Sequence, residues 1–480
     1  MNFGIVIFII GWVMILEGAF MLLPVVTGAI YGEWMHAGIY LAVGACSALI
    51  GFLLRQRKLQ KTTFYAREGF VTVALSWIVL SLIGALPLTI SGDIPFYVDA
   101  LFEIISGFTT TGSSILRDVE ALSHANLMWR SFSHWVGGMG VLVFVLAVLP
   151  MTGGSSMNIM RAESPGPSVG KLVPKIRQTA MLLYKIYMAM TVVQAVIMLI
   201  GGMPLFDTLC LTFGTAGTGG FGVLADSVAS YSIFLQCVIT VFMVLFGVNF
   251  SFYYLLLIRK PKDAFKMEEV RWYIIIYLGA VLMITVNLVL EGGGSVLVEL
   301  QRAAFQVASV MTTTGYATVD FNLWPTFSRA MMVLVMFVGA CAGSTGGGIK
   351  VSRIVLYVKQ IGREIRQQIH PRTVKVIQMD GKPVDKLVLN SANVFLMAYL
   401  IIFAVSVMIL CTEGFDLTST FTAVTATINN IGPGLNMVGA TGNFADFGVL
   451  SKFVMMFDML AGRLEIIPLL VLFHPGAWRR

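Results

Sequence analysis

The sequence predicts an all-α integral membrane protein: four pseudo-symmetric helix–pore loop–helix repeats around one central pore, preceded by a pair of transmembrane helices. Three observations predict it. Hydrophobic residues make up 57% of the 480 residues and charged residues 12%, with a mean hydropathy of +0.85, against about 25% charged in soluble domains. Apolar runs of about 20 residues, enough to cross a hydrocarbon core of about 30 Å, recur along almost the whole chain. A short polar pattern also returns four times, as Thr109-Thr110-Thr111-Gly112, Ala216-Gly217-Thr218-Gly219, Thr312-Thr313-Thr314-Gly315 and Asn429-Asn430-Ile431-Gly432.

Ten spans are expected, near 4–24, 38–54, 69–91, 130–150, 179–201, 229–257, 273–291, 328–357, 390–411 and 449–473. The first has no basic residue ahead of its apolar stretch and carries Glu17, so it reads as an uncleaved helix rather than a signal peptide. Basic residues cluster at Arg55 to Arg67, Arg161 to Arg177, Arg259 to Arg271, Lys350 to Lys386 and the C-terminus, holding 25 of the 32 in the chain. With ten spans all five clusters share one side, which by the positive-inside rule places both termini in the cytoplasm. The net charge of +7 therefore fits loops facing anionic lipid, not nucleic acid.

Aligned on the repeated pattern, residues 1–67 form a two-helix extension. The four repeats occupy 68–150, 151–258, 259–358 and 359–480; the second and fourth begin with a cytoplasmic loop, and the third has a broken last helix. The stretches before each pattern, such as Val98 to Phe108 and Asp207 to Thr215, are too short to span and suit re-entrant half-helices, which are tolerated only where protein or water surrounds them.

The expected ion-binding filter comprises Thr110, Thr111, Gly112, Thr218, Gly219, Thr313, Thr314, Gly315, Asn430, Ile431 and Gly432. Backbone carbonyls supply several uncharged ligands to a dehydrating cation, and glycine permits the positive φ and close approach this requires. No filter copy holds an acid, which favours a monovalent ion over calcium or magnesium. Asp99, Asp207, Glu299 and Asp416 open the four half-helices; they read as helix-start charges that also attract cations. Gly343, Ser344, Thr345, Gly346, Gly347 and Gly348 interrupt the eighth span and read as a gate, with close helix packing as the alternative. A phosphate loop is disfavoured, because Ile349 rather than Lys follows Gly348. Arg463 sits in the last apolar run and is expected below the filter beside that loop, restraining cation passage; pairing with buried carbonyls is the other reading. Asn249 and Asn436 read as hydrogen-bonding. The five cysteines show no C-x-x-C spacing and the histidines no ligand cluster, so neither a cofactor nor a resident metal is expected. An embedded enzyme would need a nucleophile paired with a base, and none is evident.

The segments Ser106-Gly107-Phe108-Thr109-Thr110-Thr111-Gly112, Thr218-Gly219-Gly220-Phe221, Met311 to Gly315, Ala426 to Gly434, Gly343 to Lys350 and Gly462-Arg463-Leu464-Glu465 together resemble the superfamily of Trk, Ktr and HKT potassium transporters, in particular the membrane subunits of bacterial Trk systems. The resemblance covers nearly the whole chain. It implies a pore for potassium, a homodimer in the bacterial inner membrane, and a cytoplasmic nucleotide-binding regulatory subunit (TrkA-like). Part of that contact is expected on the basic stretch Lys359 to Lys386, where Met379-Asp380-Gly381-Lys382-Pro383 reads as a turn; a lipid-facing loop is the alternative. The family's filter glycines are all present, whereas some sodium-selective relatives carry Ser at the first. A sodium- or proton-coupled potassium symporter is the alternative function.

Overall fold

In the computed structural model the described residues are 1–56, 65–140, 176–372 and 376–478. Most of the basic stretch Arg161 to Arg177 and the second half of the expected span at 130–150 lie outside them. Among the described residues, six helical segments are long and apolar enough to cross a membrane, and a seventh is a pair bent by 90°.

The N-terminal extension is a hairpin of α1 (Phe3–Phe20) and α2 (Leu22–Ile30) against α3 (Trp34–Arg55). Hydrocarbon gives apolar helices no reason to associate, so small residues at the contact matter. A Cβ on Gly18 would overlap the Gly44 carbonyl oxygen, and Cβ atoms on Gly11 and Gly51 would each crowd the other's carbonyl oxygen. The two backbones therefore touch.

Each repeat then has a long first helix, a half-helix and a second helix. The first helices are α4 (Ala66–Gly84), continued by α5 (Leu86–Ile90), then α8 (Ile176–Ile200), α13 (Glu268–Gly292) and α17 (Lys386–Leu410). The half-helices are α6 (Tyr97–Phe108), α9 (Leu205–Gly217), α14 (Val296–Met311) and α18 (Leu417–Ile428). With 12 to 16 residues each, they reach about 18–24 Å and cannot span. Their last turns are buried on every side, as irregular backbone at membrane depth requires.

The second helices depart from the expected continuous spans. The expected span at 130–150 begins in α7 (His124–Gly138) and leaves the described residues after Gly140; α10 (Ile233–Phe246) and α11 (Phe250–Leu257) meet at the 90° bend. After the short α12 (Pro261–Lys266), the third repeat breaks between α15 (Thr326–Met336) and α16 (Val351–Ile369). The fourth breaks between α19 (Val449–Arg463) and α20 (Ile467–Phe473), before a terminal turn α21 (Pro475–Trp478). Only the third break was expected. Around Gly247 the apolar run continues through the interruption, so hydropathy hides it; in the fourth repeat the backbone reveals the break, with Glu465 and β-branched Ile466 both at positive φ, a conformation such residues rarely adopt. On the basic face, β1 (Gln378–Met379) and β2 (Lys382–Pro383) pair antiparallel around Asp380-Gly381, both at positive φ, as a two-residue hairpin turn demands.

Candidate cation site

All four half-helices end alike. Thr110, Thr218, Thr313 and Asn430 adopt the left-handed conformation, with φ of 55°, 55°, 60° and 55°. Their N–H groups donate to Gly107, Thr215, Val310 and Thr427, and the next residues donate back to Ser106, Gly214, Ser309 and Ala426. This paired bonding is the Schellman helix ending, whose left-handed position is usually glycine. Here threonine holds it three times, a strained choice of about 1–3 kcal/mol each that the surrounding burial enforces.

Two residues further on, glycine takes positive φ in every copy: Gly112, Gly220, Gly315 and Gly432. This corrects the register expected for the second copy. Thr218 stands where Thr110 does, Gly219 where Thr111 does, and Gly220, which the glycine alignment left out, is the partner of Gly112. Gly219 is glycine for another reason: its Cβ would overlap the ring of His134. His134 lies fully buried between repeats, its Nδ1 at 2.8 Å from the Gly107 carbonyl and its Nε2 accepting from the Phe221 N–H at 3.3 Å. The doublet in Thr218-Gly219-Gly220-Phe221 was the signal that two glycine roles are present, without saying which residue takes which.

These glycines close a ring. A Cβ on Gly112 would overlap the carbonyl oxygen of Gly219, one on Gly220 that of Thr314, one on Gly315 that of Ile431, and one on Gly432 would crowd that of Thr111. Each repeat thus abuts the next and the fourth returns to the first, in each case at the carbonyl preceding the neighbour's glycine. Side chains strut the ring from behind. Asn430 donates at 2.9 Å to both the Thr111 hydroxyl and the Met459 carbonyl, Ser113 donates to the Gly432 carbonyl at 3.1 Å, and the Tyr316 hydroxyl donates to Leu211 at 3.1 Å. Glu103 and Arg130 form a buried ion pair at 2.7 Å, and Glu103 also accepts from Ser114 and the Ile115 N–H just past the first member of the ring. On one side of the ring a cavity of about 130 Å³ is lined by Gly112, Gly220, Gly315 and Gly432 together.

The 343–348 loop lies on the other side. The Gly347 N–H donates to the Thr313 hydroxyl at 2.6 Å, a Cβ on Gly346 would crowd the Thr312 carbonyl, and one on Gly347 the Asn429 carbonyl. Gly343 and Gly348 take positive φ, and Ser344 folds back onto the Cys341 carbonyl. Arg463 donates to the carbonyls of Thr345 at 2.8 Å, Gly137 at 2.5 Å and Gly138 at 2.9 Å. Arg463 therefore lies beside the loop, as expected, and is held by carbonyls of the first and third repeats. Lys350 reaches the Gly346 carbonyl, and Arg353 pairs with Glu465.

The acids at the half-helix starts serve locally. Asp416 caps α18 through Ser419, Lys452 pairs with Asp99 at 2.7 Å, the Tyr231 hydroxyl donates to Asp207 at 3.0 Å and Arg302 pairs with Glu299 at 2.9 Å. Asn249 caps α11 and Asn436 donates to Asp416, as hydrogen-bonding residues. Among the described residues no cluster of His, Cys, Asp or Glu could hold a metal ion, and the only oxygens the ring presents are uncharged.

Residues 36–478 match the TrkH family, described as a cation transport protein. The Trk system potassium uptake protein TrkH of Salmonella typhimurium is 37% identical, each chain covered in full. The Trk system potassium uptake protein TrkG of Escherichia coli is 35% identical over 86% of each chain. The crystal structure of the potassium transporter TrkH from Vibrio parahaemolyticus superposes with a TM-score of 0.89 at 32% identity, covering both chains completely.

Proposed function

This chain belongs to the TrkH family of cation transport proteins, and on that premise we propose that it carries potassium into the cell across the bacterial inner membrane through one gated, cation-selective pore per chain. The chain is a multi-pass membrane protein acting by transport, not catalysis. Potassium is its substrate. The observation that carries the reading is the closed ring, in which four neutral backbone loops meet carbonyl to glycine around one axis. Carbonyls without net charge replace the water of a monovalent ion while leaving it free to move on.

In this reading Thr110 to Gly112, Thr218 to Gly220, Thr313 to Gly315 and Asn430 to Gly432 form the filter. The 343–348 loop and Arg463 form the gate immediately below it. An arginine held by three carbonyls contributes a positive charge on the path of a cation, and the loop fills the space under the third and fourth filter copies. Both termini lie in the cytoplasm, two copies form a dimer, and a cytoplasmic nucleotide-binding subunit of the TrkA kind acts on the basic face carrying Lys359 to Lys386.

Rubidium flux into proteoliposomes tests the reading. Flux should run passively to the equilibrium set by the potassium diffusion potential, and Arg463→Ala should raise it several-fold. Uphill accumulation that requires a sodium or proton gradient would instead establish a symporter. An Arg463→Ala protein that remains folded with unaltered flux would remove this residue from the gate.

A further inference from the structure

The gate loop is anchored at both ends by one carboxylate. Glu269, in the first turn of α13 and 5% exposed, accepts from the Ala342 N–H at 2.6 Å and the Ser352 N–H at 3.2 Å through the same oxygen. Its other oxygen faces the Asn249 amide at 3.5 Å. Ala342 is the last residue before the 343–348 loop and Ser352 lies in the first turn of the helix after it. Both roots of the loop are thereby drawn to one point, and the glycine-rich segment between them meets Thr312, Thr313 and Asn429. The same region is closed by neighbouring backbone: the Phe250 N–H donates to Gly343 at 3.0 Å and the Cys341 N–H to Gly247 at 3.0 Å.

The residue beside it faces the cytoplasmic hairpin. The Glu268 N–H donates to Asp380 Oδ1 at 2.7 Å, at the hairpin turn, and the Glu268 carboxylate meets Lys359 at 2.6 Å. Lys359 also donates to the Gln378 carbonyl at 2.7 Å. Exposed Asp380 thus caps the orphan N–H groups at the start of α13, one residue from the carboxylate that grips the loop.

We infer that Glu269 is the positioning residue of the gate, holding the 343–348 loop under the filter, with the Asp380 turn fixing the α13 start from which it does so. The inference rests on reading that loop as the gate. Asp380 fixes the α13 start, Glu269 fixes Ala342 and Ser352 from that start, and the Gly347 N–H ties the loop to Thr313 of the proposed filter. One oxygen accepting from two backbone donors ties both roots of the loop at once.

The experiment is rubidium flux in proteoliposomes without any partner, for wild type, Glu269→Ala, Glu269→Gln, Asp380→Ala and a variant lacking Gly346 to Gly348. Glu269→Ala should raise flux about tenfold, the shift in a closed-to-open equilibrium of about 1.4 kcal/mol. Glu269→Gln, which keeps one acceptor, and Asp380→Ala should raise it less, and the rubidium-to-sodium ratio should stay at the wild-type value in all three. Mere destabilisation would lower flux, so the direction separates the two roles. Wild-type flux in both Glu269 variants with raised flux in the shortened loop overturns the inference and leaves the gate standing. Wild-type flux in every variant removes the gate reading and the inference with it. If Glu269→Ala proves polydisperse, flux at or below wild type in both Glu269→Gln and Asp380→Ala overturns the inference.

Discussion

Replacing Gly220 by alanine tests the ring at the member that glycine alignment missed. Its φ is +79°, and an L-residue in that region costs about 1–2 kcal/mol. Gly92 has φ +85° with nothing within 4 Å of its would-be Cβ, so Gly92→Ala carries the same backbone cost and no clash. At Gly220 the new Cβ overlaps the Thr314 carbonyl oxygen. Carbon and oxygen approach to about 3.3 Å at closest, and the overlap forces that carbonyl back by about 1.5 Å, three times the roughly 0.5 Å that a working site tolerates. The carbonyl that moves is one of the proposed ligands. Rubidium flux per folded molecule in proteoliposomes should fall at least tenfold for Gly220→Ala, about 1.4 kcal/mol of barrier, with a lower rubidium-to-sodium ratio. Gly92→Ala should show only a lower melting temperature. Equal flux and equal ion ratio in the two variants would refute the ring as the filter.

Arg130→Met should lower the apparent melting temperature in detergent, because it strands the Glu103 carboxylate, fully buried beside it, at about 3–5 kcal/mol; adding Glu103→Gln should recover most of the loss, and a single variant as stable as wild type would show that the pair bears no such charge. In the loops joining the first helices, Glu33 and Asp93 resist burial's upward push: the His124 and Ala125 N–H groups and the His124 ring hold Glu33 below its ordinary value, and the Ser123 N–H, the Asn126 amide and the His36 ring do the same for Asp93. A depressed folded-state value means the stabilisation is complete above the unfolded carboxylate range near pH 4 and is lost as pH falls through the lower folded value. Melting temperature should therefore be level from pH 7 to about 5 and drop below about 4, with a shallower drop for Glu33→Gln combined with Asp93→Asn.

The sequence by itself determined the class of molecule and the place of its recurring segments. Composition and run length are local and additive, so spans such as Glu268–Gly292 and Lys386 to Glu413 were legible from hydropathy. The half-helices were legible because they are too short to cross. The fourfold pattern was visible because glycine must recur wherever backbone makes the same left-handed turn, and Arg463 stood out because a charge in an apolar run needs a partner. Only the tertiary structure decided which glycine serves each copy. Gly219 and Gly220 look alike in a string of letters, and what separates them is whether a Cβ would meet the His134 ring or the Thr314 carbonyl. The break near Gly247 was equally hidden, since apolar side chains continue through it, and the one near Glu465 showed only in the backbone, where Glu465 and Ile466 turn to positive φ. Glu269 drew no notice at a helix start beside Glu268, because its meaning comes from two N–H groups 73 and 83 residues away. Residue type records what a group can do, but contact between segments distant in the chain selects which of those things it does.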